Sequence, residues 1–248
     1  MVQKKGTAEV TIKQLEKELK ELKEAFDELE DIDLKTDIGE IHSHNLDIKR
    51  NQIYLFGEEA YTLQDDYCPG VEFVMANRFI KNMQYLTNRS DKPIIIHMKS
   101  GGGTVTEGFA IYSTIRACPN KTSMVVYTEA SSMSSVILQA ADRRILFPYS
   151  EFMIHLPWKG AHGNTKDFDK QKKDLERTEN VMFNIYTDRM KNTEGSKFRT
   201  WSLKRIRKWL EDAIDKEKDL HLTPDQAVQY GLADEVFKHD WNGILSNE

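Results

Sequence analysis

Cysteine, uninterrupted apolar runs and basic charge are all scarce in this chain. Its 248 residues include 2 cysteines, Cys68 and Cys118. A disulfide framework is therefore excluded, and the usage fits a reducing cytosol. No run of about 18 apolar residues occurs, and the N-terminus has no apolar signal core. The expectation is a soluble, unexported, cytoplasmic protein with no membrane partner. Lys and Arg number 35 against 40 Asp and Glu, a net charge of −5. That balance argues against a nucleic-acid partner held by a basic surface. Metal-binding spacings are missing too: there is no His-Glu-x-x-His and no paired-cysteine motif. His42, His44, His97, His162, His221 and His239 read as solvated or core histidines, so no metal is expected.

What is present falls into two textures. Ile12, Leu15, Leu19, Leu22, Phe26 and Leu29 recur at alternating spacings of three and four, with Glu and Lys between them. This is an amphipathic helix with a narrow apolar stripe like a coiled-coil seam. It is too short to be stable alone and calls for a partner helix, a sister subunit or its own domain. From Asp31 to Asn45 the pattern fades and reads as a linker. Residues 1–45 are thus expected to form a helical extension, and residues 46–248 a catalytic-sized domain. The hydrophobic content of 39% supplies a core for it.

Within 46–248 apolar runs alternate with helical patterns. Strands are expected at 51–56, 92–98, 124–127, 144–147, 152–155 and 233–237. Helices are expected at 71–86, 105–117, 136–141, 167–190 and 203–213. Thr223-Pro224-Asp225-Gln226 is a capping box with proline at the first helical position, and Gly231 closes that helix. Strands alternating with helices give an α/β domain.

Three features carry chemistry. Ser100-Gly101-Gly102-Gly103 separates a strand from a helix. No Gly-Lys-Ser/Thr follows it, so a phosphate cradle is disfavoured against a turn that bares backbone N–H groups. Ala130-Ser131-Ser132-Met133 places a hydroxyl at a strand-to-helix turn, where the free N–H groups of a helix start accompany it. Met153-Ile154-His155-Leu156-Pro157 brings a histidine to the end of a strand. Taken singly, Ser132 is an ordinary helix cap, His155 a satisfied strand-end histidine, and Asp212, Asp215 and Asp219 solvated carboxylates near a helix end.

In this order, and closed by Leu222 to Asp234 with its Ala-Val-Gln-Tyr-Gly-Leu-Ala-Asp, these motifs resemble the ClpP family of self-compartmentalised serine proteases. The likeness spans about residues 50–238. It implies the ClpP/crotonase-like spiral of ββα units, here with an added N-terminal amphipathic helix. It also implies a Ser-His-Asp triad with Ser132 as nucleophile and His155 as base. Counting back from the closing segment without a gap assigns the third place to Asp215, with Asp212 as the fallback. Gly102 and Met133 match the family's oxyanion-hole positions. Gly101 stands where the family has proline, Ser134 and Thr128 where it has glycine, and the interval from serine to histidine is slightly shortened.

The resemblance further implies stacked, heptameric rings that enclose the active sites. The helix at 167–190 would be the handle between rings, with Leu175, Val181, Met182, Ile185 and Tyr186 as its seam. Polypeptides would be the substrates, no cofactor would be needed, and ATP would be used only by a partner AAA+ unfoldase. Because a helical extension replaces the family's short axial loop, a virus-type (prohead-like) processing protease of the same fold is one alternative. A crotonase-like acyl-CoA enzyme and an inactive ring subunit are the others.

Overall fold

The computed structural model describes residues 14–25, 39–56, 70–157, 163–238 and 240–245. The chain divides into two compact units, residues 1–49 and 50–248.

In the first unit, residues 14–25 form helix α1 with every side chain exposed. Leu15, Leu19 and Leu22 line one solvent-facing stripe, flanked by the i,i+4 pairs Lys17–Glu21 and Lys20–Glu24. The seam positions Ile12, Phe26 and Leu29 lie outside the described residues, as do Cys68, His162 and His239. Part of the expected linker is instead helical, at residues 39–44. Glu40 and His44 lie one turn apart at 4.0 Å, and Asn45 ends the turn with φ 56° while its N–H reaches Ile41 O. Asparagine is among the few residues that take this left-handed cap. The two-residue strand β1 (Leu46–Asp47) follows.

In the second unit, β2 (Gln52–Phe56), β3 (Ile94–Ser100), β4 (Thr122–Ser131), β5 (Arg143–Leu146) and β8 (Glu235–Val236) lie side by side in that order, all parallel. Helices α2 (Phe73–Arg89) and α3 (Val105–Ala117) connect the first three. Strand β4 serves two neighbours. Its first half pairs β5 through residues 123–126, and its last residues, Glu129 to Ser131, pair β6 (Glu151–His155). This division turns the sheet and carries the end of β4 toward β6. Helix α5 (Thr165–Asn192) and α6 (Leu203–Glu217) follow, then β7 (Asp219–Leu222), antiparallel to β6. The short helices α7 (Pro224–Gln229) and α8 (Asn242–Leu245) flank β8.

The strand-and-helix alternation gives the expected mixed α/β fold. The core explains its order: Ile94 to Met98 and Met124 to Val126 are buried runs, as parallel strands covered on both faces must be. Helix α4 (Met133–Leu138) is buried along its whole length. It sits beneath the turn that follows β4, so the serine turn rests on core rather than on a loop.

Candidate active site

Ser132 is the N-cap of α4 and follows β4 without an intervening residue. Its backbone is held at φ 54°, ψ −126°, a conformation L-residues avoid and which costs about 1–3 kcal/mol. Such a turn throws the side chain outward from the chain path. Several contacts hold it there. Ser132 N–H donates to Met153 O at 3.0 Å, Ser135 N–H donates to Ser132 O at 3.0 Å, and Ser135 Oγ donates to the same carbonyl at 2.6 Å. Because the Ser135 hydroxyl has spent its proton, Tyr186 of α5 must be the donor in the 2.7 Å bond between their oxygens. Burial pushes the Tyr186 phenol well up, which keeps it the donor. Ser134, the neighbouring departure from the family's glycine, is buried with no partner for its Oγ among the described residues.

His155, the last residue of β6, places Nε2 at 2.7 Å from Ser132 Oγ. Its Nδ1 faces Asp219 Oδ1 at 3.5 Å. Since a carboxylate can only accept, a proton on Nδ1 would face Asp219 and leave Nε2 to accept from the serine hydroxyl. Ser132 and His155 are thus within hydrogen-bonding distance of each other. Asp215 is not the residue across from the imidazole: it lies in the last turn of α6, where its charge acts on Lys208. Asp212 pairs with Lys208 at 2.6 Å. Asp219 reaches His155 because Lys218 ends α6 with φ 65° and the chain re-enters as β7, whose first residue is in register with His155. The signal for that strand was its alternation: Leu220 and Leu222 are buried, Asp219 and His221 exposed.

The glycine turn closes the other side. Gly102 has φ +100°, and a Cβ there would lie 2.6 Å from Ser132 Cβ and 2.9 Å from Met133 N. The turn is fixed by Val71, whose N–H donates to Gly102 O at 2.7 Å and whose carbonyl accepts from Thr104 N–H at 2.8 Å. Gly102 N–H itself donates to Ser100 Oγ at 3.3 Å. Met133 N–H begins α4, a position with no acceptor inside its own helix.

The other histidines have separate roles. His97 is buried between Tyr127 OH at 2.8 Å and Gln52 Oε1 at 3.0 Å, and His221 contacts Glu151. Among the described residues, no group of three or more His, Cys, Asp or Glu is placed to hold a metal, and no helix is long and apolar enough to cross a membrane.

The Clp protease family profile matches residues 66–240. The ATP-dependent Clp protease proteolytic subunit 1 of Gloeobacter violaceus is 31% identical over 172 residues, 68% of this chain and 80% of that protein. The proteolytic subunit of Deinococcus radiodurans is 30% identical over 169 residues, 67% of this chain and 76% of its own. That of Carsonella ruddii is 27% identical over 173 residues, 69% and 81% respectively. The chain belongs to the Clp protease family and is a serine-type peptidase.

Proposed function

We propose that Ser132, His155 and Asp219 form the catalytic triad of an endopeptidase acting on unfolded polypeptides. The observation that carries this is the 2.7 Å contact between His155 Nε2 and Ser132 Oγ at a strained strand-to-helix turn. His155 takes the hydroxyl proton as Ser132 Oγ attacks the scissile carbonyl, then returns it to the leaving amine, and water repeats the sequence on the acyl-enzyme. Asp219 holds the imidazole in the tautomer that leaves Nε2 free. Its 3.5 Å separation is long for a hydrogen bond, as catalytic contacts without substrate often are. Gly102 and Met133 supply the oxyanion N–H donors. The long bond from Gly102 to Ser100 Oγ would then be exchanged for a charge-assisted one to the oxyanion. A second reading, Asp215 as the third member, rests on the ungapped register of the closing motif.

Assembly into stacked heptameric rings is part of the same proposal. Helix α5 supports it: Phe168 and Val181 are exposed on it, apolar surface that a neighbouring subunit would cover. The related subunits are named as parts of ATP-dependent proteases, which favours an ATPase partner that delivers substrate to a cytoplasmic ring.

Labelling with a fluorophosphonate followed by mass spectrometry tests the chemistry. One adduct is expected, on Ser132, and Ser132→Ala should lose both labelling and peptide cleavage. Cleavage that persists in that variant rules the mechanism out. Negative-stain images should show rings.

A further inference from the structure

Helix α1 turns three leucines to solvent. Leu15, Leu19 and Leu22 are 59%, 57% and 71% exposed and lie on one stripe, four and three residues apart. A single exposed leucine needs no explanation, but a row of them along one helix face does. In sequence the same spacing runs from Ile12 to Leu29. It puts leucine at every d position, residues 15, 22 and 29, with Ile12, Leu19 and Phe26 at a. That is the pattern of a coiled-coil seam.

The charges on α1 are sorted by face. Lys17–Glu21 and Lys20–Glu24 pair within the helix at 3.5 and 3.6 Å, and they occupy the outer b, c and f positions. Glu18 and Lys23 flank the stripe at g and e, and neither makes an ion pair among the described residues. Five residues apart, they cannot meet each other on one helix. Five residues is the separation at which a g residue of one strand meets an e residue of a parallel neighbour. A second copy of this helix in register therefore supplies both missing partners at once, a lysine for Glu18 and a glutamate for Lys23.

We propose that α1 is a self-association element through which neighbouring copies of this chain align parallel and in register. Leu15, Leu19 and Leu22 would be buried in the seam, and Glu18–Lys23 pairs between copies would fix its polarity. So short a seam is weak alone. It gains from the ring proposed above, where neighbouring copies are already held together, but its specificity is carried by α1 itself.

Cysteine cross-linking of the full chain tests this, in a Cys68→Ser/Cys118→Ser background. Leu22→Cys should form an interchain disulfide under mild oxidant, because d meets d in a parallel pair and not in an antiparallel one. Lys17→Cys, on the outer face, should cross-link about tenfold more slowly, its sulfurs being held too far apart. Added to Leu22→Cys, either Glu18→Lys or Lys23→Glu should slow the reaction about fivefold, the order expected when two exposed pairs turn repulsive. The two reversals together should restore it. Equal rates from positions 17 and 22, no effect of either reversal, or no interchain product overturns the proposal. Rescue of Lys23→Glu by Glu16→Lys in place of Glu18→Lys would assign an antiparallel pair and overturn the parallel one. Rings in negative stain without the Leu22→Cys product would overturn the seam and leave the ring reading standing.

Discussion

Asp219 stands across the β6–β7 ladder from His155, with Oδ1 3.5 Å from Nδ1. The pairing is set by strand register, so it does not depend on a flexible loop. If the carboxylate fixes the tautomer, Asp219→Asn should cut kcat by about 100-fold with little change in KM, the pattern of a lost transition-state contact. Asp215→Asn should stay within about threefold of wild type. Steady-state kinetics of the two variants decide the matter, and a large loss confined to Asp215→Asn would move the role to that residue.

The strain at Ser132 gives a stability prediction that is separate from catalysis. With φ at 54° and ψ at −126°, glycine suits this position better than any L-residue. Ser132→Gly and Ser132→Ala both remove the hydroxyl, so comparing them isolates the backbone. The glycine variant should be more stable than the alanine variant by about 1 kcal/mol, which is about 2–4 °C in Tm for a chain of this size. Equal melting temperatures would mean the turn holds no strain.

Gly102 is constrained by contact as well as by conformation. An alanine Cβ would sit 2.7 Å from Ser131 O and 2.9 Å from Met133 N, and these are backbone atoms that cannot step aside. Gly102→Ala should therefore lower kcat about 100-fold or more by displacing an oxyanion donor. Circular dichroism should remain native, because the clash is local. Near-normal turnover would show that the donors lie elsewhere.

How much of this site could be read from the chain depended on local signals. Ser132 and His155 sit at strand ends marked by apolar runs, and the Thr223 capping box appears with both reciprocal bonds formed. The third carboxylate was harder. Choosing among Asp212, Asp215 and Asp219 requires knowing where α6 stops, and it stops at Lys218, a residue that gives no warning of φ 65°. Strand β7 is four residues long and flanked by charge, so its alternation was masked by the helix before it.

Tyr186 reaches the nucleophile's turn through one intermediate, Ser135. Its hydroxyl donates at 2.7 Å to Ser135 Oγ, which donates at 2.6 Å to Ser132 O. Tyr186→Phe leaves that packing intact and removes one buried donor, at a cost of about 1 kcal/mol in stability. The freed turn should lower kcat severalfold while KM holds, because the effect falls on the placement of Oγ. A variant that loses stability but keeps its kcat would limit Tyr186 to a structural role.

Tyr127 makes alkaline stability a readout of the opposite face of the sheet. Gln52 Oε1 can only accept from His97 Nε2, so His97 Nδ1 accepts from the Tyr127 hydroxyl at 2.8 Å. Burial, with a smaller contribution from Tyr54, pushes the Tyr127 phenol up from 10.0 to about 12. A raised phenol favours the protonated form in the folded state, so its contribution is complete below pH 10 and is lost as pH climbs toward about 12. Denaturant titrations across that window should show stability falling, with tyrosinate absorbance of one residue delayed to its upper end. Tyr127→Phe should be less stable at neutral pH, having lost the bond to His97, yet should show a shallower fall through the window. An equally steep fall in the variant would assign the alkaline transition to another group.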